Sequence, residues 1–269
     1  MEDIKEIPTV ETDNGGTLSI ITKAEIDQQI ATAHAFPRSL KRFRDEALEM
    51  VTLTERIAEE CIYALPRGGK TIEGPSARFA EVVASAWGNC RAGARVVAEE
   101  REFVVAQGVF HDLQRNVSIT YEVKRRITDK YGRRYPADMI AVTANAACSI
   151  ALRNSILKGV PKAFWADMYD EARKTVMGDS KTLSTRRADA VNYLQKFGVT
   201  TEMICATLGV QGLEDIGLED MVKLKGLATA IKEGDTTVEQ AFRTPEDVKN
   251  GKPDVAPPKR KSEKDADNG

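Results

Sequence analysis

The amino-acid sequence predicts an α+β fold whose core is one helix, a three-stranded antiparallel sheet and a long helix. A helical N-terminal region and a small helical C-terminal domain are predicted to flank this core. Three patterns support the prediction. Apolar residues recur at helical spacing over residues 79–87, they alternate with polar residues within residues 94–127, and a long helical stretch over residues 138–158 is closed by Gly159 and Pro161.

The N-terminal part is predicted to hold helices only. Residues 1–20 lack apolar periodicity and contain an Asn-Gly-Gly sequence, which is typical of a flexible leader. Thr22 begins the first predicted helix, with Glu25 at the capping-box position. A second helical tract follows and runs up to Pro66, so we predict a helical region over residues 21–66.

The predicted core spans residues 67–180. After its first helix come three predicted strands, over residues 94–100, 102–110 and 116–127. In the third strand apolar and polar residues alternate, so the sheet should have one buried face and one wet, partly basic face. A polar loop over residues 128–136 then leads into the long helix, and a further amphipathic helix follows it.

The C-terminal part is predicted to form a small helical domain over residues 181–243. Its short helical stretches lie around residues 190–197, 201–208, 218–232 and 238–242. Residues 244–269 are rich in Pro, Lys, Asp and Gly, and no apolar residue recurs at regular spacing. We therefore expect a disordered tail there.

Composition excludes several classes of protein. The chain is 42% hydrophobic and 30% charged, and no apolar run approaches the roughly 18 residues that would span a bilayer. The N-terminus is acidic and polar, whereas a secretory signal begins with a basic stretch followed by an apolar one. We expect a cytoplasmic protein that is not integral to a membrane.

Cysteine and histidine offer little material for catalysis. The four cysteines, Cys61, Cys90, Cys148 and Cys205, lie far apart and show no spacing suited to zinc. With two histidines in the chain, a histidine-rich metal centre or a Ser-His-Asp triad is not expected. The sequence predicts reduced, buried thiols, and no catalytic residue, metal site or cofactor.

Charge is unevenly distributed along the chain. The net charge is -2, yet the segment from Arg67 to Arg187 holds 21 Lys and Arg against 13 Asp and Glu. A basic middle with acidic flanks favours a polyanionic ligand, although ordinary charge scatter would also give such a count. The sequence therefore indicates, as a hypothesis, an intracellular nucleic-acid-binding protein.

The densest positive charge lies in the predicted loop after the third strand. Six basic residues alternate there with two tyrosines: Lys124, Arg125, Arg126, Lys130, Tyr131, Arg133, Arg134 and Tyr135. Cationic side chains can pair with phosphates, while tyrosine rings stack on unpaired bases. The loop is thus a candidate surface for a single strand, and a solvated turn with ordinary surface charge is the alternative.

The long predicted helix carries a polar stripe. Asn145, Ser149 and Arg153 recur at every fourth position, and Lys158 continues an adjacent row. Small polar side chains would let a nucleic-acid backbone approach, with Arg153 meeting a phosphate. Packing of the stripe against another helix is an equally open interpretation.

One motif resembles a nucleotide-binding loop. The sequence from Ala64 to Thr71, with Lys70 near its end, fits a relaxed phosphate-loop pattern in which alanine replaces the first glycine. A true phosphate loop follows a buried strand and opens a helix, whereas this one is predicted to be a basic turn between helices. We do not expect ATP binding there.

The order of elements resembles a known family. The helix 76–87, the three strands, the basic loop and the long helix ending in Ala-Leu-Arg-Asn-Ser-Ile-Leu-Lys-Gly-Val-Pro resemble the core of phage single-strand annealing proteins of the RecT/Redβ type. In that last motif the family places basic residues against DNA, at positions that match Arg153 and Lys158. The C-terminal stretch 197–242 is similar to helical modules appended to such proteins, and the long helix is less basic than the family would suggest.

The resemblance implies ATP-independent annealing of complementary strands by a ring or helical homo-oligomer. The ligands would be single-stranded DNA and the annealed duplex intermediate. A phage exonuclease and the host single-strand-binding protein are implied partners through the C-terminal domain. A different class of function is a non-annealing accessory protein that recruits such a nuclease or single-strand-binding protein.

Overall fold

The computed structural model describes residues 14–67, 70–129, 131–179 and 181–242. Residues 1–13 of the predicted leader, Lys130 of the basic loop and the predicted tail 244–269 lie outside the described residues. The predictions made for them stay predictions.

Helices and strands follow one another as an α+β protein. The helices are α1 Asn14–Ala35, α2 Leu40–Thr52, α3 Glu55–Glu60, α4 Ala77–Trp87, α5 Ala137–Gly159, α6 Ala166–Met177, α7 Leu183–Gln195, α8 Thr201–Leu208, α9 Leu218–Lys232 and α10 Val238–Ala241. The strands are β1 Ile62–Arg67, β2 Lys70–Pro75, β3 Cys90–Glu99, β4 Phe103–Asp112 and β5 Val117–Arg126. The predicted fold class, with its three-stranded antiparallel sheet, is confirmed.

The first helix is longer than predicted. It begins at Asn14, so residues 14–20 of the predicted leader are helical. The two glycines that suggested a flexible leader fall in the first turn of the helix, and no proline interrupts the segment behind them. From Ile20 onward α1 is mostly exposed, and Ala33 is its one buried residue there.

A β-hairpin replaces the end of the predicted helical region. Residues 62–67 pair with residues 70–75 in register from Ile62 opposite Pro75 to Arg67 opposite Lys70. The expectation of a helix up to Pro66 was therefore wrong. Burial alternates here, since Ile62 and Ala64 are buried and the residues after each are partly exposed, so the strand period decides the local structure.

The main sheet has one covered and one open face. Strand β4 lies between β3 and β5, and both pairings are antiparallel. Val104, Ala106 and Phe110 face the helical side, where they are buried. The intervening residues of β4 stand opposite polar residues of β5 on the other face, such as Gln107 opposite Glu122. The predicted wet, partly basic face is confirmed.

Helix α5 crosses β4 at backbone distance. A Cβ atom added at Gly108 would lie 2.1 Å from the carbonyl oxygen of Ala151. At the end of α5, a Cβ atom at Gly159 would lie 2.0 Å from Cδ1 of Phe110. Glycine at these two positions allows the helix to lie flat on the sheet.

A buried ion pair fixes the start of α2 to the sheet. The guanidinium of Arg38 donates to both carboxylate oxygens of Asp112, at 2.9 and 3.1 Å, and stacks 4.0 Å from the ring centroid of Trp87. Trp87 Nε1 donates to the same carboxylate at 3.0 Å. Burial raises the pKa of Asp112, but the bonds from Arg38 and Trp87 outweigh it, so the pKa lies below its ordinary value.

The C-terminal helices share a core with the hairpin. Helices α7 to α10 enclose Leu194, Ile204 and Met221, and the same cluster includes Ala64 of β1. Gly226 of α9 lies so close to this strand that an added Cβ atom would approach Ala64 Cβ to 2.8 Å. These helices therefore pack on the hairpin, while the predicted domain boundary stays a prediction.

By length and composition alone, α5 is apolar enough to cross a membrane. Core helices of water-soluble proteins meet the same criterion, so this is weak evidence for a membrane span. In this fold, α5 packs against β4 and β5.

Candidate nucleic-acid interface

The structure distributes the predicted contact residues over three places around α5 and β5. The basic loop forms the first place, at the end of β5. Arg125 and Arg153 form the second, beneath the turn that follows α9. Lys158 forms the third, at the C-terminal end of α5.

At the first location, the basic loop at the end of β5, the cationic side chains have carboxylate partners. Lys124 Nζ lies 3.1 Å from Glu100, Arg126 lies 3.0 Å from Glu102, and Arg134 pairs with Glu99. These glutamates belong to the end of β3 and the turn before β4, which meet the end of β5 in the antiparallel sheet. Arg133 pairs within the loop with Asp129 at 2.8 Å.

The basic loop is therefore much closer to electrical neutrality than its own sequence indicates. Its ion pairs are solvent-exposed, and such pairs contribute only about 0–1 kcal/mol. A phosphate could replace these carboxylates at small cost. The cations of the loop are paired with carboxylates, and these carboxylates are the partners that phosphates would replace.

The two loop tyrosines differ in exposure. Tyr131 is 72% exposed, and the guanidinium of Arg133 lies 5.4 Å from its ring centroid. Tyr135 is partly buried against the core formed by β4 and α5. Of the two, Tyr131 offers the accessible ring that stacking on a base requires.

At the second location, beneath the turn after α9, two residues that were predicted to contact DNA are bonded to other parts of the protein. Arg125 donates to the backbone oxygens of Asp235 at 3.1 Å and Gly234 at 3.3 Å. Arg153 Nη1 lies 3.3 Å from the Asp235 carboxylate, and its guanidinium is 4.4 Å from the ring centroid of Tyr63. The arginine and aspartate side chains are only 9% and 3% exposed.

The carboxyl groups of this turn have perturbed proton affinity. Burial and, to a smaller extent, the negative charge of Asp235 raise the pKa of Glu233 to about 7. The positive charges of Arg78 and Arg153 lower it, but by less. Burial also raises the pKa of Asp235 more than Arg153 and Arg125 lower it. One oxygen of each carboxylate has no hydrogen-bond partner.

At the third location, the C-terminal end of α5, cationic side chains lie beside aromatic rings. Lys158 Nζ is 5.6 Å from the ring centroid of Tyr121, and Lys162 Nζ is 6.0 Å from that of Trp165. Both lysines are exposed, and within the described part of the chain neither has a carboxylate at salt-bridge distance. This end of α5 therefore carries positive charge that is not compensated locally.

The polar stripe of α5 borders a groove. Asn145 and Ser149 line it together with Arg78 of α4 and Lys232 at the end of α9, and its volume is about 480 Å³. The stripe thus faces both solvent and the C-terminal helices, which leaves both interpretations of its small side chains open. Lys232 pairs with Glu60 at 3.2 Å at the groove edge.

Sequence reasoning missed two arginines on the open face of the sheet. Arg91 and Arg95 of β3 stand opposite His111 and Gln107 of β4, on the side away from α5. Nη1 of Arg91 is buried without a hydrogen-bond partner. The available signal was their spacing of four residues, an even number, which places both side chains on one face of a strand.

The nucleotide-loop interpretation is not favoured by the hairpin. Lys70 begins β2 and pairs with Arg67, so no helix begins behind it. A phosphate loop uses the amides of a helix N-terminus, which this geometry does not provide. The motif lies in a hairpin and not, as expected, in a turn between helices.

The thiols are unsuited to act as nucleophiles at neutral pH. Burial raises the pKa of Cys61 to about 12 and that of Cys90 to about 11. Cys61 is buried as predicted, whereas the other three cysteines are partly exposed. Within residues 14–67, 70–129, 131–179 and 181–242, no group of three or more His, Cys, Asp or Glu side chains is placed to hold a metal ion.

Comparison of the chain with family models, with curated proteins and with solved structures finds no match.

Proposed function

We propose that this protein binds single-stranded DNA and anneals complementary strands without ATP, as a homo-oligomer of the kind that the RecT/Redβ resemblance implies. The proposal includes both the single strand and the annealed duplex intermediate as ligands. It assigns no catalytic residue, metal or cofactor.

The observation that carries the proposal is the row of exposed cations beside β5 and α5, together with the exposed ring of Tyr131 in the basic loop. Lys124 and Arg126 lie at one end of β5 on the open face of the sheet, while Lys158 lies on the α5 side beside Tyr121, near the middle of the strand. Tyr121 and Arg126 are five residues apart along β5, which is about 17 Å at strand spacing, so a few successive phosphates could be neutralised along this edge. Annealing requires neutralised backbones and accessible bases, and such a row supplies the first condition.

The test is an annealing assay with two complementary oligonucleotides, each carrying one dye of an energy-transfer pair, without ATP. We expect the protein to accelerate duplex formation over protein-free DNA. Lys158→Ala combined with Lys162→Ala should weaken binding, because two phosphate contacts are lost. The slope of log affinity against log salt should become shallower by about 1.4 for a single strand.

The matched control removes two exposed lysines elsewhere, Lys181→Ala combined with Lys196→Ala, and should leave affinity and slope near those of the parent protein. An absence of acceleration by the parent protein would reject the annealing function. Equal effects of the two double variants would remove the end of α5 from the interface.

A second candidate function is supported by an exposed aromatic pair at and just beyond the C-terminal end of α7. Tyr193 and Phe197 are each 41% exposed and contact one another edge to face at 5.2 Å. Exposed aromatic residues are enriched at protein interfaces, which favours recruitment of a nuclease or single-strand-binding protein. Single-strand binding without annealing, together with partner capture lost in Tyr193→Ser and Phe197→Ser, would support this accessory role.

A further inference from the structure

A built anion site lies where α5, β5 and the turn after α9 meet. Arg125 comes from β5, Arg153 from α5, and both guanidiniums converge on the segment from Glu233 to Asp235. Tyr63 of the hairpin covers Arg153 from one side. A planar guanidinium held by packing binds a carboxylate or a phosphate with the same hydrogen-bond geometry.

The present occupant of this site is an acidic turn of the chain itself. The Asp235 carboxylate takes one Arg153 donor, and two backbone oxygens take the Arg125 donors. Glu233 lies 3.8 Å from Arg78. The turn therefore presents acidic and carbonyl oxygens in the positions that phosphate oxygens would occupy.

We propose that the Glu233–Gly234–Asp235 turn is an internal mimic of a nucleic-acid phosphate, which occupies the Arg125 and Arg153 site until a single strand displaces it. This inference rests on the proposed function. It assigns to both arginines a contact that forms only after the turn has moved. The two arginines would then extend the row of cations between the basic loop and Lys158.

Two observations support displacement. First, Asp235 Oδ1 and Glu233 Oε2 are buried without hydrogen-bond partners, so burying the turn leaves two polar atoms unsatisfied. Second, the turn borders the open groove lined by Asn145 and Ser149, which gives a strand access to it from solvent. Gly234, with a φ of +75°, gives the turn a backbone conformation that other residues rarely adopt.

The first experiment measures binding of a labelled oligothymidine by fluorescence anisotropy over a range of salt concentrations. Asp235→Asn removes the competing charge and should tighten binding by at least about fivefold. The salt dependence should stay near that of the parent protein, because the same phosphate contacts form in both once the turn has moved. Asp189→Asn is the control, since it removes an exposed carboxylate of α7 without touching either arginine.

Equal affinity of the two variants, with the parent protein binding DNA, would overturn the mimic alone. Failure of every variant, parent included, to bind the oligonucleotide would overturn the proposed function and the mimic with it. Circular dichroism melting of each variant would confirm that it is folded.

The second experiment locks the turn in place and does not depend on removing a buried charge. A Cβ atom at Gly234 would lie 3.6 Å from that of Ala146 on α5, within the range of a disulfide. Ala146→Cys combined with Gly234→Cys should bind the oligonucleotide at least about fivefold more weakly when oxidised than when reduced. Equal affinity in both redox states, with bond formation verified by mass spectrometry, would refute displacement of the turn.

Discussion

Replacement of Gly108 by alanine tests the close approach of α5 to the sheet. The added Cβ atom would lie 2.1 Å from Ala151 O and 2.3 Å from Ala151 C, both backbone atoms. Ordinary contact begins near 3.4 Å, so the helix would have to move by about 1.3 Å. Because Gly159 packs on Phe110 at the end of the same helix, moving α5 away from the sheet would also loosen that contact.

We expect Gly108→Ala to lower the free energy of unfolding by about 3 kcal/mol or more, at or above the upper end of the usual cost of overpacking. That is a large part of the roughly 5–15 kcal/mol that stabilises a typical domain. Gly93→Ala is the matched control, because Gly93 lies in the neighbouring strand of the same sheet and an added Cβ atom there meets nothing within 4 Å.

Urea unfolding followed by circular dichroism measures both variants in the same way. Gly93→Ala should change the free energy of unfolding by no more than about 0.5 kcal/mol. If the two variants agree within that margin, the close packing of α5 on β4 does not describe the protein in solution. A folded Gly108→Ala variant that has lost DNA binding would show that the position of α5 also shapes the interface.

Three further predictions concern charge. Arg38→Met should cost about 3–5 kcal/mol in urea unfolding, because it leaves the buried Asp112 carboxylate unpaired, and adding Asp112→Asn should recover part of that cost; no recovery would mean that the pair is not coupled. The pKa of Glu233 is raised from 4.5 to about 7 in the folded protein. Protonated Glu233 therefore stabilises the fold fully below pH 4.5, and this contribution, up to about 3 kcal/mol, is lost as the pH rises through about 7. Thermal melts of Glu233→Gln should lack this pH dependence, and a parallel decline in the variant would exclude Glu233 as its source. Arg133→Ala with Arg134→Ala should weaken single-strand binding and flatten its salt dependence, and unchanged affinity and slope would remove the loop from the interface.

Elements with a strong local period could be predicted from the sequence. The period of two in β5 and the helical spacing in α4 each decide a structure within about ten residues, and both were confirmed. The segment Ile62 to Leu65 fits a helix and a strand equally well, and its pairing with β2 and its packing on α9 decide between them. Tertiary contacts override local preference there.

The charge of the candidate interface could be predicted only in part. Density of Lys and Arg located the basic loop, but the partners of Arg134 and Arg153 lie 35 and 82 residues away in the sequence. No local count of charge contains that information. Folding brings these carboxylates to the arginines, which converts an apparent basic cluster into a set of paired groups.

The packing of α9 on the hairpin has a consequence for synthesis of the chain. A two-stranded hairpin is only marginally stable by itself, and its buried residue Ala64 is covered by Gly226, which the ribosome adds 162 residues later. At a synthesis rate of about 5–20 residues per second, roughly 8–32 s pass between the synthesis of Ala64 and that of Gly226. During that interval the apolar side of β1 is available to chaperones and to neighbouring nascent chains, so the N-terminal half of this protein completes its folding only after the C-terminal half has been made.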